Sequence, residues 1–309
     1  MDPGLLVVQV LNGLQLGVLL FMVAAGLTLV FGILDVINLA HGVVYMVGAY
    51  VGALVAVGLG SAGAAILLAP AAALLVGLVL DRLVLRHVYD RDHLDQVLAT
   101  YGVILFMNEA VRFLAGPAPL PFPVPALLDW SVTLPGGASY PAYRLAIIAT
   151  GLAVAAAMIV LIAGTRFGMR VRAAASNAPM LAMLGTDIQR LFLVVLGMGS
   201  ALAGFAGLVA GPIVSVEPGM GDHVLVLSFV VIVTGGMGSV QGALVGSLLV
   251  GLADSLGRSF LTDALRAVLA PAAANEIGPA LASMLIYLVM AVVLIVAPQG
   301  LLPLRRAVR

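Results

Sequence analysis

The chain has 309 residues, of which 63% are hydrophobic and 9% charged, and its mean hydropathy is +1.21, far outside the range of water-soluble domains. Its 14 basic and 14 acidic side chains cancel, and it contains no cysteine, which excludes disulfides and thiolate metal sites. Every basic residue is arginine, so no P-loop lysine exists to hold nucleotide phosphates, and any ATP-driven step must be powered by another subunit.

About 20 residues cross the hydrocarbon of a bilayer, which leaves room for roughly eight or nine spans and little for a separate soluble domain. The expectation is an all-α polytopic membrane protein forming a single domain over 1–309. Met1-Asp2-Pro3-Gly4 has no basic residue and no cleavage site follows, so the first apolar run reads as a retained helix rather than a signal peptide. Apolar segments fall at 5–31, 33–58, 61–80, 96–115, 143–163, 191–214, 224–256 and 280–297. The second is interrupted by Ile37-Asn38-Leu39-Ala40-His41-Gly42, and the seventh, too long for one ordinary span, by Gly235-Gly236-Met237-Gly238-Ser239. Irregular backbone at membrane depth survives only against protein or a wet cavity, so two such interrupted, half-helix segments point to a transport pathway.

Arginine placement sets the expected orientation, since basic residues are retained in the cytoplasm. Segment 81–95 holds Arg82, Arg86 and Arg91; segment 164–190 holds Arg166, Arg170, Arg172 and Arg190; the tail holds Arg305, Arg306 and Arg309. Segments 116–142 and 215–223 hold no basic residue. The N-terminus is therefore expected outside and the C-terminus inside. Segment 257–279 runs against this scheme with Arg258 and Arg266, which an interfacial helix presenting Phe260, Leu261, Leu265, Val268 and Leu269 would accommodate. Seven prolines in 116–141 exclude a continuous helix; Leu127, Trp130, Val132 and Leu134 suggest a capping hairpin, a rigid linker being the alternative.

Small residues recur every four positions, as in Gly13 and Gly17, Gly48 and Gly52, Ala203, Gly207 and Gly211, or Gly242 and Gly246. Such rows let helix backbones approach closely and imply a tight bundle. Polar groups in apolar segments are Asp35, Asn38, His41, Asn108, Glu109 and Asp254. His41 reads either as a proton relay or as a hydrogen-bonded core histidine, and Glu109 and Arg112 as a surface pair. The four histidines are scattered and no hydrolytic triad or metal site emerges, which disfavours an enzyme. In 164–190, Asn177 or Ser176 can cap a short helix, Pro179 suits its first turn and Gly185 its end. Met180, Leu181, Met183 and Leu184 then form an apolar surface that either packs under the bundle or docks a cytoplasmic partner.

Asn12-Gly13-Leu14-Gln15-Leu16-Gly17, Gly26-Leu27-Thr28-Leu29-Val30-Phe31-Gly32, Ile37 to Gly42 and Tyr45-Met46-Val47-Gly48-Ala49-Tyr50 resemble the N-terminal half of branched-chain amino acid ABC importer permeases. Arg172-Ala173 through Asn177, Ala182, Leu184 and Gly185 resemble the coupling loop of that family. Gly235 to Ala243 and Pro298-Gln299-Gly300-Leu301 resemble its later signatures, with Gln241 where proline is common. The blocks occur in order over nearly the whole chain. The resemblance implies the first of two homologous permeases, served by two cytoplasmic ATPases that carry ATP and Mg, and by a periplasmic binding protein. The chain itself would hold no cofactor, sit in bacterial inner-membrane lipid and bind no nucleic acid. Its pathway would involve Asn38, His41, Gly42, Tyr45, Gly235, Gly236, Gly238 and Ser239. Its coupling surface would involve Arg172, Asn177, Pro179, Met180, Leu181, Ala182, Leu184 and Gly185. Other members of the family import urea, short amides, or aromatic or dicarboxylic acids. From other classes, a passive channel would lack the Arg-flanked capped helix, a proton-coupled carrier would rest on His41 and Glu109, and a structural subunit would tolerate blocking of either break.

Overall fold

Long apolar runs with small-residue rows fold as helices because lipid leaves backbone polar groups no partner but the helix itself. The computed structural model describes residues 3–134 and 137–303, so Pro135 and the tail arginines Arg305, Arg306 and Arg309 lie outside the described residues. The long helices are α1 (Pro3–Leu34), α2 (His41–Gly58), α3 (Ala62–Leu83), α4 (His93–Ala115), α5 (Ala142–Gly164), α7 (Ile188–Ala210), α9 (Val240–Leu256) and α11 (Pro271–Val296). Eight described helices have the length and apolar character to cross a membrane. Shorter elements are α6 (Arg166–Met183), α8 (Met220–Gly235), α10 (Thr262–Arg266) and a hairpin of β1 (Ser131–Thr133) and β2 (Ser139–Pro141). With 16 residues, α8 falls short of the other spans.

The first helix is the centre of the bundle: 83% of its most apolar window is buried, against 11% for α4 and for α11. Its glycines explain why. A Cβ on Gly26 would lie 2.6 Å from the Gly199 carbonyl oxygen of α7, and one on Gly13 would lie 2.9 Å from the Leu252 Cα of α9. On the α5 side, Val18 fills the space left by Gly151. The four-residue rows thus serve backbone-to-backbone contact, in α2 against α7 as well, where Gly48 meets Gly204.

Polar ties fasten the Pro-rich end. The Tyr140 hydroxyl and Arg144 Nη1 donate to Asn12 Oδ1 at 3.2 and 2.8 Å, and Ser255 Oγ donates to the Gln9 carbonyl at 2.8 Å. The Tyr143 hydroxyl donates to the Val209 carbonyl at 2.8 Å. The Pro-rich segment forms the expected hairpin, Val132 facing Tyr140, while Leu120 bridges Val216 and Phe122 fits against Gly52 and Gly211. The anomalous arginines of 257–279 are each paired: Arg258 with Asp254 at 2.8 Å, and Arg266 with Asp263 at 3.0 Å. This segment is a π-helical turn, Gly257–Leu261, followed by α10, and it folds back on α11, where Thr262 meets Gly278. Phe260, Leu261 and Leu265 are half-buried there, while Val268 and Leu269 remain exposed.

Candidate translocation pathway and coupling loop

Irregular backbone in an apolar bundle must find donors and acceptors elsewhere. At the first break α1 ends with Leu34, and Asp35 takes φ +53° while its N–H donates to the Phe31 carbonyl at 2.9 Å. The helix resumes at His41, so His41 and Gly42 open α2 and the irregular chain is 35–40. The Ile37 N–H donates to Gln96 Oε1 at 3.1 Å, and Gln96 Nε2 donates to the Arg91 carbonyl at 3.1 Å. Gln96, buried in the first turn of α4, thus satisfies the break from the side. Sequence patterning gave no hint of this role, because a single glutamine near a helix start is unremarkable without its distant partner.

Asn38, His41 and Tyr45 are all buried. Asn38 Oδ1 and both ring nitrogens of His41 lack a hydrogen-bond partner within the described chain, although the His41 ring faces the Val23 carbonyl. The Thr28 and Thr234 hydroxyls are likewise buried and unpartnered. Such groups cost about 1–3 kcal/mol each when nothing pairs with them.

At the second break Gly236 (φ +112°) and Gly238 (φ +83°) adopt backbone that only glycine takes without strain. The Ser239 hydroxyl caps α9 by accepting from the Gly242 N–H at 3.0 Å. The last carbonyls of α8 are met by the C-terminal segment: the Leu301 N–H donates to Thr234 and the Leu302 N–H to Gly235, both at 2.9 Å. Two motif blocks far apart in the chain, Gly235–Ser239 and Pro298–Leu301, therefore form one structure. Gly238 also lies against Gly32, and Gly42 against Gly221. The first set of candidate residues thus starts at the head of α8 and the second lies at its foot. Gly221 and Gly235 are 14 residues apart on one helix, about 21 Å at the usual rise. Because Gly32, just before the first break, lies against Gly238 and Gly42, just after it, lies against Gly221, the first break runs along α8 from its foot to its head.

The Asn108 amide donates to Asp222 at 3.1 Å, so α4 touches both the head of α8 and, through Gln96, the first break. Glu109 and Arg112 form an exposed pair at 3.3 Å.

Between α5 and α7, helix α6 turns sharply at Thr165, whose hydroxyl accepts from the Gly168 N–H at 3.1 Å, and Arg172 donates to the Ile162 carbonyl. Asn177 is non-helical (φ −158°, ψ 90°) and its Oδ1 accepts from the Met180 N–H at 2.9 Å. It therefore caps a second short helix that contains Pro179, Leu181 and Ala182. Gly185, at φ +85°, ends that helix in open space. Met180, Met183 and Leu184 are 60%, 86% and 75% exposed, an apolar surface that the described residues leave uncovered.

The sequence profile of the family described as branched-chain amino acid transport system / permease component matches residues 9–294. Among curated relatives, the permease protein BraD of the high-affinity branched-chain amino acid transport system of Pseudomonas aeruginosa is 29% identical over 274 residues, covering 85% of this chain and 89% of its own. The corresponding LivH permease protein of Escherichia coli K12 is 28% identical over 307 residues, covering 95% and 94%. A probable LivH of Methanocaldococcus jannaschii is 30% identical over 100 residues, covering 32% of each chain. No solved structure matches. With a membrane-length helical bundle and a family match spanning nearly all of it, the chain belongs to the permease components of branched-chain amino acid transport systems.

Proposed function

We propose that this chain is the first of two homologous permease subunits of an ATP-driven importer for branched-chain or related amino acids. Residues 1–309 act as one permease domain with its N-terminus outside and its C-terminus in the cytoplasm. The observation that carries the coupling role is the capped, kinked α6, which presents Met180, Met183 and Leu184 outside the spans with none of the described residues covering them. Two cytoplasmic ATPases, holding ATP and Mg, take that surface, and a periplasmic binding protein delivers the solute. The pathway follows α8 from Gly42 and Gly221 at its head to Gly236 and Ser239 at its foot. Asn38 and Thr234 give this seam buried polar atoms with no partner among the described residues, and His41 adds a buried ring facing only the Val23 carbonyl, all suited to water or a zwitterion in passage. Tyr45 stands one turn further along α2.

The test is reconstitution of the full importer with Met183→Glu, a change at an exposed side chain that leaves the bundle intact. An apolar anchor replaced by a charge weakens an interface by about 1–2 kcal/mol or more. The expected result is uptake of leucine reduced about tenfold, with the permease still inserted and folded. Uptake at the unaltered rate, with normal amounts of ATPase bound, overturns the coupling role. Competition by valine, urea, acetamide and phenylalanine then separates the substrate classes.

A further inference from the structure

A cavity of about 1110 Å³ opens where the end of α3, the turn Leu85–His87 and the first turns of α7 meet, beside Leu34 of α1. It belongs neither to the breaks nor to α6. Its inner wall is apolar, with Leu74, Leu78, Phe192, Leu193 and Met198. This wall continues outward into exposed Leu75, Val79, Leu83 and Val194. Large apolar side chains exposed on spanning helices face hydrocarbon or another membrane subunit. The trough therefore opens sideways from the bundle and not into water.

Its mouth is charged. Arg82 and Arg86 stand four residues apart at the last turn of α3 and just beyond it, both exposed and neither in an ion pair among the described residues. Two carboxylates share the mouth. Asp81 is buried and accepts a hydrogen bond from the Tyr89 hydroxyl; burial, then the Asp81 carboxylate beside it, holds that phenol above its ordinary pKa and so protonated. Asp90 is the only other acidic side chain in the lining. Two guanidinium groups thus stand against one uncommitted carboxylate. Arginine lays its stem along apolar surface and keeps its head at the interface, where anionic headgroups lie.

We propose that this trough binds an anionic phospholipid, its phosphate between Arg82 and Arg86 and an acyl chain against Leu74, Leu78 and Leu193. An amphiphile fits both halves, whereas a small soluble anion leaves the apolar half unused. The lipid belongs to the leaflet at the arginine-rich end of the bundle. It braces α3 against the start of α7, the helix that directly follows α6. The inference stands apart from the transport reading, because its main readout is lipid retention by the chain itself.

The experiment is native mass spectrometry of the purified chain with dioleoyl phosphatidylglycerol and dioleoyl phosphatidylcholine. The expected result is preferential retention of phosphatidylglycerol, weakened about fivefold by Arg82→Gln and again by Arg86→Gln, with phosphatidylcholine unaffected. Arg170→Gln, at another arginine of the same end, leaves retention unchanged. A Cβ on Gly197 would meet Leu74 and Leu78 at 3.7 Å, an ordinary contact, so Gly197→Ala folds while narrowing the trough. It is expected to weaken both lipids. Equal retention of the two lipids, or an equal loss in Arg170→Gln, overturns the proposal. So does displacement of phosphatidylglycerol by inorganic phosphate, which marks a plain anion site. A cysteine placed at Leu193 that a lipid-soluble maleimide labels in the isolated chain but not in the assembled importer also overturns it, because a subunit then covers the trough.

Discussion

At Gly48 one added methyl group would stand 2.1 Å from the Gly204 carbonyl oxygen, a backbone atom that cannot step aside as a side chain could. Gly48→Ala must therefore push α2 from α7, at about 1–3 kcal/mol by the cost of overpacking. At Gly102 of α4 nothing lies within 4 Å of an added Cβ. Gly102→Ala is expected to unfold at the same denaturant concentration as the parent or slightly higher, and Gly48→Ala at a clearly lower one, in reconstituted bilayers. The four-residue row through Gly48 and Gly52 announced close packing, but not that its partner is α7. Gln96 is the stronger case. Its value lies wholly in the Ile37 N–H it accepts from, 59 positions away. Local patterning is blind to such pairs, because side-chain type fixes what a residue can bond to and only the fold fixes what it meets.

At the scale of an element, α6 was the most legible stretch, since its signals are local. A cap, a proline in the first turn and a terminal glycine all act within a few residues. Asn177, Pro179 and Gly185 occupy those positions. Asn177→Ala removes the acceptor for the Met180 N–H, a loss of about 1 kcal/mol. Amide exchange over 178–184 should then quicken about fivefold, with the spans unchanged. Protection that stays the same means that the helix is held by contacts other than its cap. The breaks were less legible. Their glycines marked where the helix stops, and Gly236 and Gly238 indeed take left-handed backbone. The strap from Leu301 and Leu302 onto the end of α8 is a long-range pairing of backbone groups, which leaves no side-chain signature. For segment 257–279 the apolar pattern alone did not show that Gly257 and Thr262 pack on α11.

In the whole molecule, the number of long helices and the alternation of arginine-rich and arginine-free ends follow from hydropathy and charge alone. The arrangement around α1 does not, because every span is apolar on all sides and no periodic face marks an inside. What sets α1 apart is the glycine at 13, 17, 26 and 32, read by α7, α9 and the second break. Ending the chain after Gly235 removes α9 and the strap together. Protease sites in the loops after α1 and α7 are expected to become several-fold more sensitive in such a fragment than in the full chain. Equal resistance means that α1 is held without α9.

The centrality of α1 also constrains how the protein is made. Of the described helices, the one made before all the others is the one whose surface is most completely enclosed in the end. The helix that lies along it, α9, begins more than 200 residues later in the chain. At roughly 5–20 residues per second, α1 waits tens of seconds in lipid with its glycine faces open. Insertion and assembly are thus separate events for this chain. The bundle closes only once α9 has been made, and a nascent chain stalled before α9 presents those open faces to whatever else is in the membrane.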